Sequence, residues 1–131
     1  MITTTDAANI VYKACNVFGM PVYQAGNIPE GIVDEAGRVV IHTKEQTPES
    51  TWKKCFVEVN IFAADTPLGH SDLIRLNELE RKAVKELKAT GWCDNTAYSF
   101  SVTSTMLMEE ANLKAHYINA KVLFKALNTI E

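Results

Sequence analysis

Lys53 to Leu87 reads KKCFVEVNIFAADTPLGHSDLIRLNELERKAVKEL, and it joins two different periodicities across a short break. From Lys54 to Phe62 the odd positions Cys55, Val57, Val59 and Ile61 are apolar, while Glu58 and Asn60 fall between them. That is period two, the pattern of a strand packed mainly on one face. Ala63 to Ser71 holds Asp65, Pro67 and Gly69, all turn formers. Leu73, Leu76, Leu79, Ala83, Val84 and Leu87 then recur at steps of three and four. This spacing predicts an amphipathic helix, with Ser71 or Asp72 as its cap and Gly91 as its stop. A strand with one apolar face, followed by a helix with one apolar stripe, makes the nucleus of a sheet-and-helix core.

Working toward the N-terminus, Lys44 to Ser50 is polar, contains Pro48, and reads as an exposed connection. Trp52 stands at its end. Arg38 to Thr43 is β-rich and predicts a short strand, and Gln24 to Gly37, with Gly26, Pro29, Gly31 and Gly37, predicts a long loop with a brief strand at Ile32 and Val33. Pro21 biases Met20 away from helix, so Met20 to Tyr23 is extended. Before it, Ile10, Val11, Ala14, Val17 and Phe18 share one side of a helix predicted over Ala7 to Phe18. Thr5 or Asp6 caps it and Gly19 ends it.

Toward the C-terminus, Trp92 to Thr96 reads as a turn. Tyr98, Phe100, Val102, Met106 and Met108 alternate with Ser and Thr residues, which predicts a long strand with one wet face. Glu109 to Lys114 is the tip of a hairpin. The return strand has Ile118, Ala120, Val122, Phe124 and Ala126 on one face, and Asn128 to Glu131 is a tail. The expected architecture is a single α+β domain over residues 1–131: an antiparallel sheet of about four strands with two helices packed on one face.

Bulk properties narrow the function. At 131 residues with 47% apolar and 22% charged residues, the chain suits one domain able to bury roughly two-thirds of its unfolded surface. The formal net charge is −3 and no basic stripe is present, which argues against specific nucleic-acid binding. No apolar run nears the ~18 residues of a membrane span, and Met1 to Asp6 has neither the basic nor the apolar region of a signal peptide. Three cysteines with no CxxC spacing suggest reduced thiols in a cytoplasmic setting. Cys15 and Cys55 read as core residues, and Cys93 as the one open to solvent.

No catalytic motif emerges. His42, His70 and His116 have no ligand at metal-binding spacing, and His42 and His116 read as strand-edge surface residues, with His70 ending the loop before the second helix. Glu109 and Glu110, adjacent at a hairpin tip, point to opposite sides. The glycines are too widely spaced to cradle a phosphate. No catalytic residue, metal ligand or cofactor is expected. More informative are apolar residues on faces expected to be wet: Phe56 and Phe62 in phase with Glu58 and Asn60, Leu107 and Leu123 out of phase in the last two strands, and Trp52. Several such residues on the outer face of one sheet point either to a partner surface, commonly a second copy, or to cover by a loop or the N-terminal segment.

The order of elements resembles that of the tail terminator (tail completion) proteins of long-tailed bacteriophages and prophages. The similar stretches are Ile10 to Tyr23, Arg38 to Thr43, Val57 to Phe62 with the helix that follows, and the terminal hairpin. Gln24 to Gly37 and the hairpin tip have no counterpart in that pattern. The resemblance implies a non-enzymatic virion-assembly protein, made in the host cytoplasm and residing in the virion tail. It implies a hexameric ring that caps the tail tube and forms part of the head–tail junction, with the tail tube protein and a head-completion protein as partners. On this reading Phe56, Phe62, Leu107 and Leu123 form the subunit interface, and mobile loops at Gln24–Gly37 and Thr43–Trp52 face axial partners. A different head–tail joining component is a second reading. A third is a small ligand-binding or enzymatic domain with a pocket around Cys93 or a histidine.

Overall fold

The computed structural model describes residues 1–48 and 52–127. Helix α1 (Thr4–Ala14) continues as a 3-10 turn over Cys15–Phe18, and strands β1 (Val22–Gln24), β2 (Arg38–Pro48) and β3 (Trp52–Ala64) follow. Helix α2 (Leu73–Glu86) then leads to β4 (Ala89–Cys93), β5 (Thr96–Glu110), a 3-10 turn at Ala111–Leu113, and β6 (Ala115–Leu127). The strands form one sheet in the order β1-β2-β3-β6-β5-β4. This corrects the expected four antiparallel strands: among the described residues there are six, the sheet is mixed because β1 runs parallel to β2, and it curls into a half-barrel.

Two short strands account for the difference. Gly19, at φ 65°, ends the 3-10 turn in the left-handed region that glycine tolerates. The chain then reverses so that Pro21 accepts a hydrogen bond from the Val39 amide at 2.8 Å, and β1 runs alongside β2. The second addition is β4. Asp94 and Asn95 both hold positive φ, and such a pair makes a two-residue hairpin loop whose twist suits the flanking strands. Cys93 therefore pairs with Thr96 and Ala89 with Phe100. Gly91 lies inside β4 and does not stop α2. A Cβ there would meet the Tyr98 ring, with the hydroxyl oxygen at 2.6 Å. Helix α2 ends at Glu86 because Leu87, its C-cap, turns its side chain into the core.

Capping follows the sequence closely, with small shifts. Asp72 caps α2 by accepting from the Arg75 amide. Helix α1 starts earlier than expected. Thr3 is its cap and Asp6 is the reciprocal third-position partner, so Asp6 closes a capping box instead of serving as the cap itself.

Both helices lie on the sheet face lined by Val57, Val59, Ile61, Ile118, Ala120, Val122 and Phe124, all fully buried. From α1 come Ala7 and Val11, and from α2 come Leu76, Leu79, Ala83 and Leu87. Each buried leucine contributes about 1.5–3 kcal/mol relative to exposure. Ala120 and Ala126 of β6 are fully buried in the same core. Phe100 and Phe124 stack at 6.1 Å, and Tyr98 lies 5.3 Å from Phe124.

The long loop between β1 and β2 holds no strand at Ile32–Val33. It folds over the opposite sheet face, where Val33 joins Val40, Phe62 and Ala115 in a second apolar cluster. Two arginines pin it by backbone carbonyls. Arg38, 7% exposed, donates to Pro29 (3.3 Å) and Ile32 (2.9 Å). Arg75 donates to Glu35 and Ala36, each at 2.8 Å. Each guanidinium reaches its two carbonyls from two separate nitrogens held in one plane, a fixed spacing that a lysine's single ammonium nitrogen does not supply. Replacing Arg38 with Ala should cost about 2–4 kcal/mol of stability. It should also speed exchange of the Val33 amide, which donates to Leu113 at 3.0 Å. Arg38→Lys should restore little of either, as hydrogen exchange and denaturant unfolding would read.

Candidate functional site: an open sheet edge

Strand lengths leave both edges of the sheet incompletely paired. At one edge β1 covers only Val39–Ile41 of β2. At the other, β4 covers only Thr96–Phe100 of β5. Among the described residues, no strand pairs with the outer side of β2 from His42 onward, or of β5 from Ser101 onward. Residues 44–48, expected as part of a connection, thus belong to a strand, as does Trp52. Residues 49–51 and the tail at 128–131 lie outside the described residues.

The two open lanes differ in kind. Exposed edges invite pairing with another chain unless charge, proline or a bulge blocks it. The β2 lane carries Lys44, Glu45 and Pro48, and its pairing with β3 is irregular between Thr43 and Gln46. The β5 lane has one irregularity, between Val102 and Ser104, and then pairs regularly with β6 to Glu110. From Ser104 to Met108 it holds no charge and no proline.

The irregularity at Thr103 also changes which way the side chains point. One extra residue exchanges the two faces of everything beyond it. Before it, Phe100 and Val102 face the helices. After it Thr105 does, donating to the Glu80 carboxylate on α2 at 2.6 Å. Leu107 (46% exposed) therefore lies on the helix side opposite Ile118, while Met106 (60%) and Met108 (36%) lie on the outer face opposite Asn119 and Tyr117. Strict alternation along the sequence puts the two methionines in phase with Phe100, and the extra residue reverses that.

The four expected interface residues do not form one surface. Phe56 and Leu123 sit opposite each other on the outer face, half-buried, with the Lys121 ammonium 4.3 Å from the Phe56 ring centre. Phe62 is 7% exposed beneath the loop and packs on Tyr117 at 4.5 Å. Leu107 faces the other way. Sequence reasoning missed Trp92 (74% exposed), read as part of a turn, and Leu73 and Val84 of α2, assigned to the core stripe but more than half exposed.

The densest polar chemistry lies near the hairpin tip. His116 Nδ1 is 2.7 Å from Asp65 Oδ1, and Nε2 is 4.0 Å from a Glu109 oxygen. This corrects the reading of His116 as a surface residue: the pair is largely buried and ties the end of β3 to the start of β6. It borders a cleft of about 560 Å³ lined by Val33, Asp65, Thr66, Lys114 and His116 among others. The Thr66 hydroxyl accepts the His70 amide. Among the described residues no group of three or more His, Cys, Asp or Glu is placed to hold a metal.

Burial pushes the Cys15 thiol from 9.0 up to about 12 and Cys55 up to about 11, whereas Cys93 is half-exposed. At about pH 8 the native protein should present Cys93 alone to a thiol reagent, since the thiolate is the reacting form. Denaturation should release all three. Stability should hold below the ordinary thiol value of 9.0 and fall as pH rises toward 11 and 12, because the unfolded thiols ionise first. A chemical-denaturation series over pH would measure this.

Phe62→Ser should cost about 3–5 kcal/mol, as large aromatic truncations in a core do. Phe56→Ser should leave unfolding midpoints nearly unchanged.

No family model and no curated protein matches the chain. A solved structure described only as "Np_888769.1" is similar over 98% of this chain and 96% of its own, with 12% sequence identity and a TM-score of 0.46.

Proposed function

We propose that this chain is a non-enzymatic assembly protein of the tail-terminator kind, which joins copies of itself into a ring of about six at the end of a tail tube. The observation that carries this reading is the unprotected lane of β5, where Met106, Leu107 and Met108 stand exposed beside unpaired backbone. An open edge strand of this character supports a reading of association with another chain. Phe56, Leu123 and Trp92 on the outer face add apolar contact area, whereas Phe62 is occupied within the chain. The arginine-pinned loop at 25–37 gives a fixed face for a head-completion partner.

Tubes polymerised from the tail tube protein of the same phage or prophage provide the test. Negative-stain images should show the protein as a cap at one tube end, and its addition should stop tube growth. Tubes that stay bare and keep lengthening at saturating protein would overturn the reading. The observation on the side of a ligand-binding domain is the cleft beside Asp65 and His116. Native mass spectrometry of the purified protein should show no retained small molecule, and a retained one displaced by His116→Asn would favour that alternative instead.

A further inference from the structure

The occupant of the β5 lane can be read from the lane itself. Ser104 to Glu110 runs Ser, Thr, Met, Leu, Met, Glu, Glu: two hydroxyls, three apolar side chains, two acids. Laid antiparallel against its own copy about a two-fold axis at Leu107, this segment sets Ser104 against Glu110, Thr105 against Glu109, and Met106 against Met108. Leu107 then meets Leu107. Directly opposed residues in an antiparallel pair share a face, so the axis must pass a residue facing itself. Leu107 is the centre that uses the whole regular ladder beyond Thr103.

The surroundings fit this pairing. On the helix side, the partner's Glu109 would enter the groove between α2 and β5 beside Thr105, which is lined by Asn77, Arg81, Val84 and Lys85. Glu80 is also there, its carboxylate already accepting from Thr105. Neither Arg81 nor Lys85 lies within ion-pair distance of a carboxylate among the described residues, so both can pair with an incoming acid even though Glu80, Glu78 and Glu86 stand nearby. The exposed Val84 lines the same groove and would be covered along with Leu107. The lane is also bounded: β4 begins at Ala89 opposite Phe100, and in the two-fold arrangement each β4 lies past the tip of the other copy's hairpin.

We infer that the free protein is a two-fold dimer in which β5 of each copy fills the open lane of the other over Ser104–Glu110. The inference goes beyond the tail-terminator reading. A ring with two unlike ends needs head-to-tail contacts, whereas the two-fold pair describes the chain before it meets a tube.

Sedimentation of the full chain over a wide concentration range should show a monomer–dimer equilibrium. Leu107→Lys sets two ammonium groups face to face at an exposed position and should weaken the dimer at least ~10-fold with an unchanged circular dichroism spectrum. Arg81→Glu with Lys85→Glu should weaken it in the same direction. In a Cys93→Ser background, Leu107→Cys should form an intermolecular disulfide on mild oxidation, because opposed residues lie within disulfide reach. A chain that stays monomeric throughout, a dimer indifferent to Leu107→Lys, or growth to larger species in which Leu107→Cys forms no cross-link would each overturn the inference. Tube capping is scored separately, so a dimer that caps no tube refutes only the proposed function, and a monomer that caps tubes refutes only the dimer.

Discussion

The pairing of β3 with β6 is the constraint on which the rest of the structure depends. It runs from Trp52 against Leu127 to Ala64 against Ala115 without a register shift. One face of this two-strand ladder supplies most of the core, and both helices pack on it. Its length in turn sets the lengths of β2 and β5, which pair along its two sides. The strands outside those are much shorter: β1 spans three residues against eleven in β2, and β4 five against fifteen in β5. Open edges follow from that mismatch. They arise from how the sheet is built and not from any irregularity in it.

The other sheet face is divided. At one end the arginine-pinned loop closes over Val40, Phe62 and Ala115, and Arg38 is held there by two carbonyl oxygens. Toward the middle Phe56, Lys121 and Leu123 remain half-open. At the free edge Met106 and Met108 are bare. Exposure thus rises toward β5, where the backbone is also unpaired. Apolar side chains beside unsatisfied backbone donors and acceptors are what strand addition requires.

Much of this is legible in the residues. The alternation in β3 and β6 and the three-and-four spacing in α2 each reflect burial on one face, which repeats with the element and needs no tertiary knowledge. What escapes depends on single residues or on chain-distant neighbours. Gly91 reads equally well as a helix stop and as a gap beneath Tyr98, and only the fold decides. Asp94–Asn95 has the composition of a two-residue hairpin loop, yet the residues around it read as a longer turn until β4 is seen to pair. Thr103, one extra residue in a long strand, exchanges the faces of Leu107 and the two methionines with no local signature. Phe62 shares the phase of Glu58 and Asn60, and its burial comes from Val33, almost thirty positions away in a loop that has no periodicity to read.

The central claim is that the backbone of β5 beyond Val102 is built to be paired by another chain. Hydrogen exchange of the Ser104–Glu110 amides, followed from dilute to concentrated protein, tests it most directly. The account predicts fast exchange of the outward-pointing amides at low concentration and protection that grows with concentration, while the β3 and β6 amides stay protected throughout. Outward amides that exchange equally fast at every concentration, alone and with tubes, would contradict it.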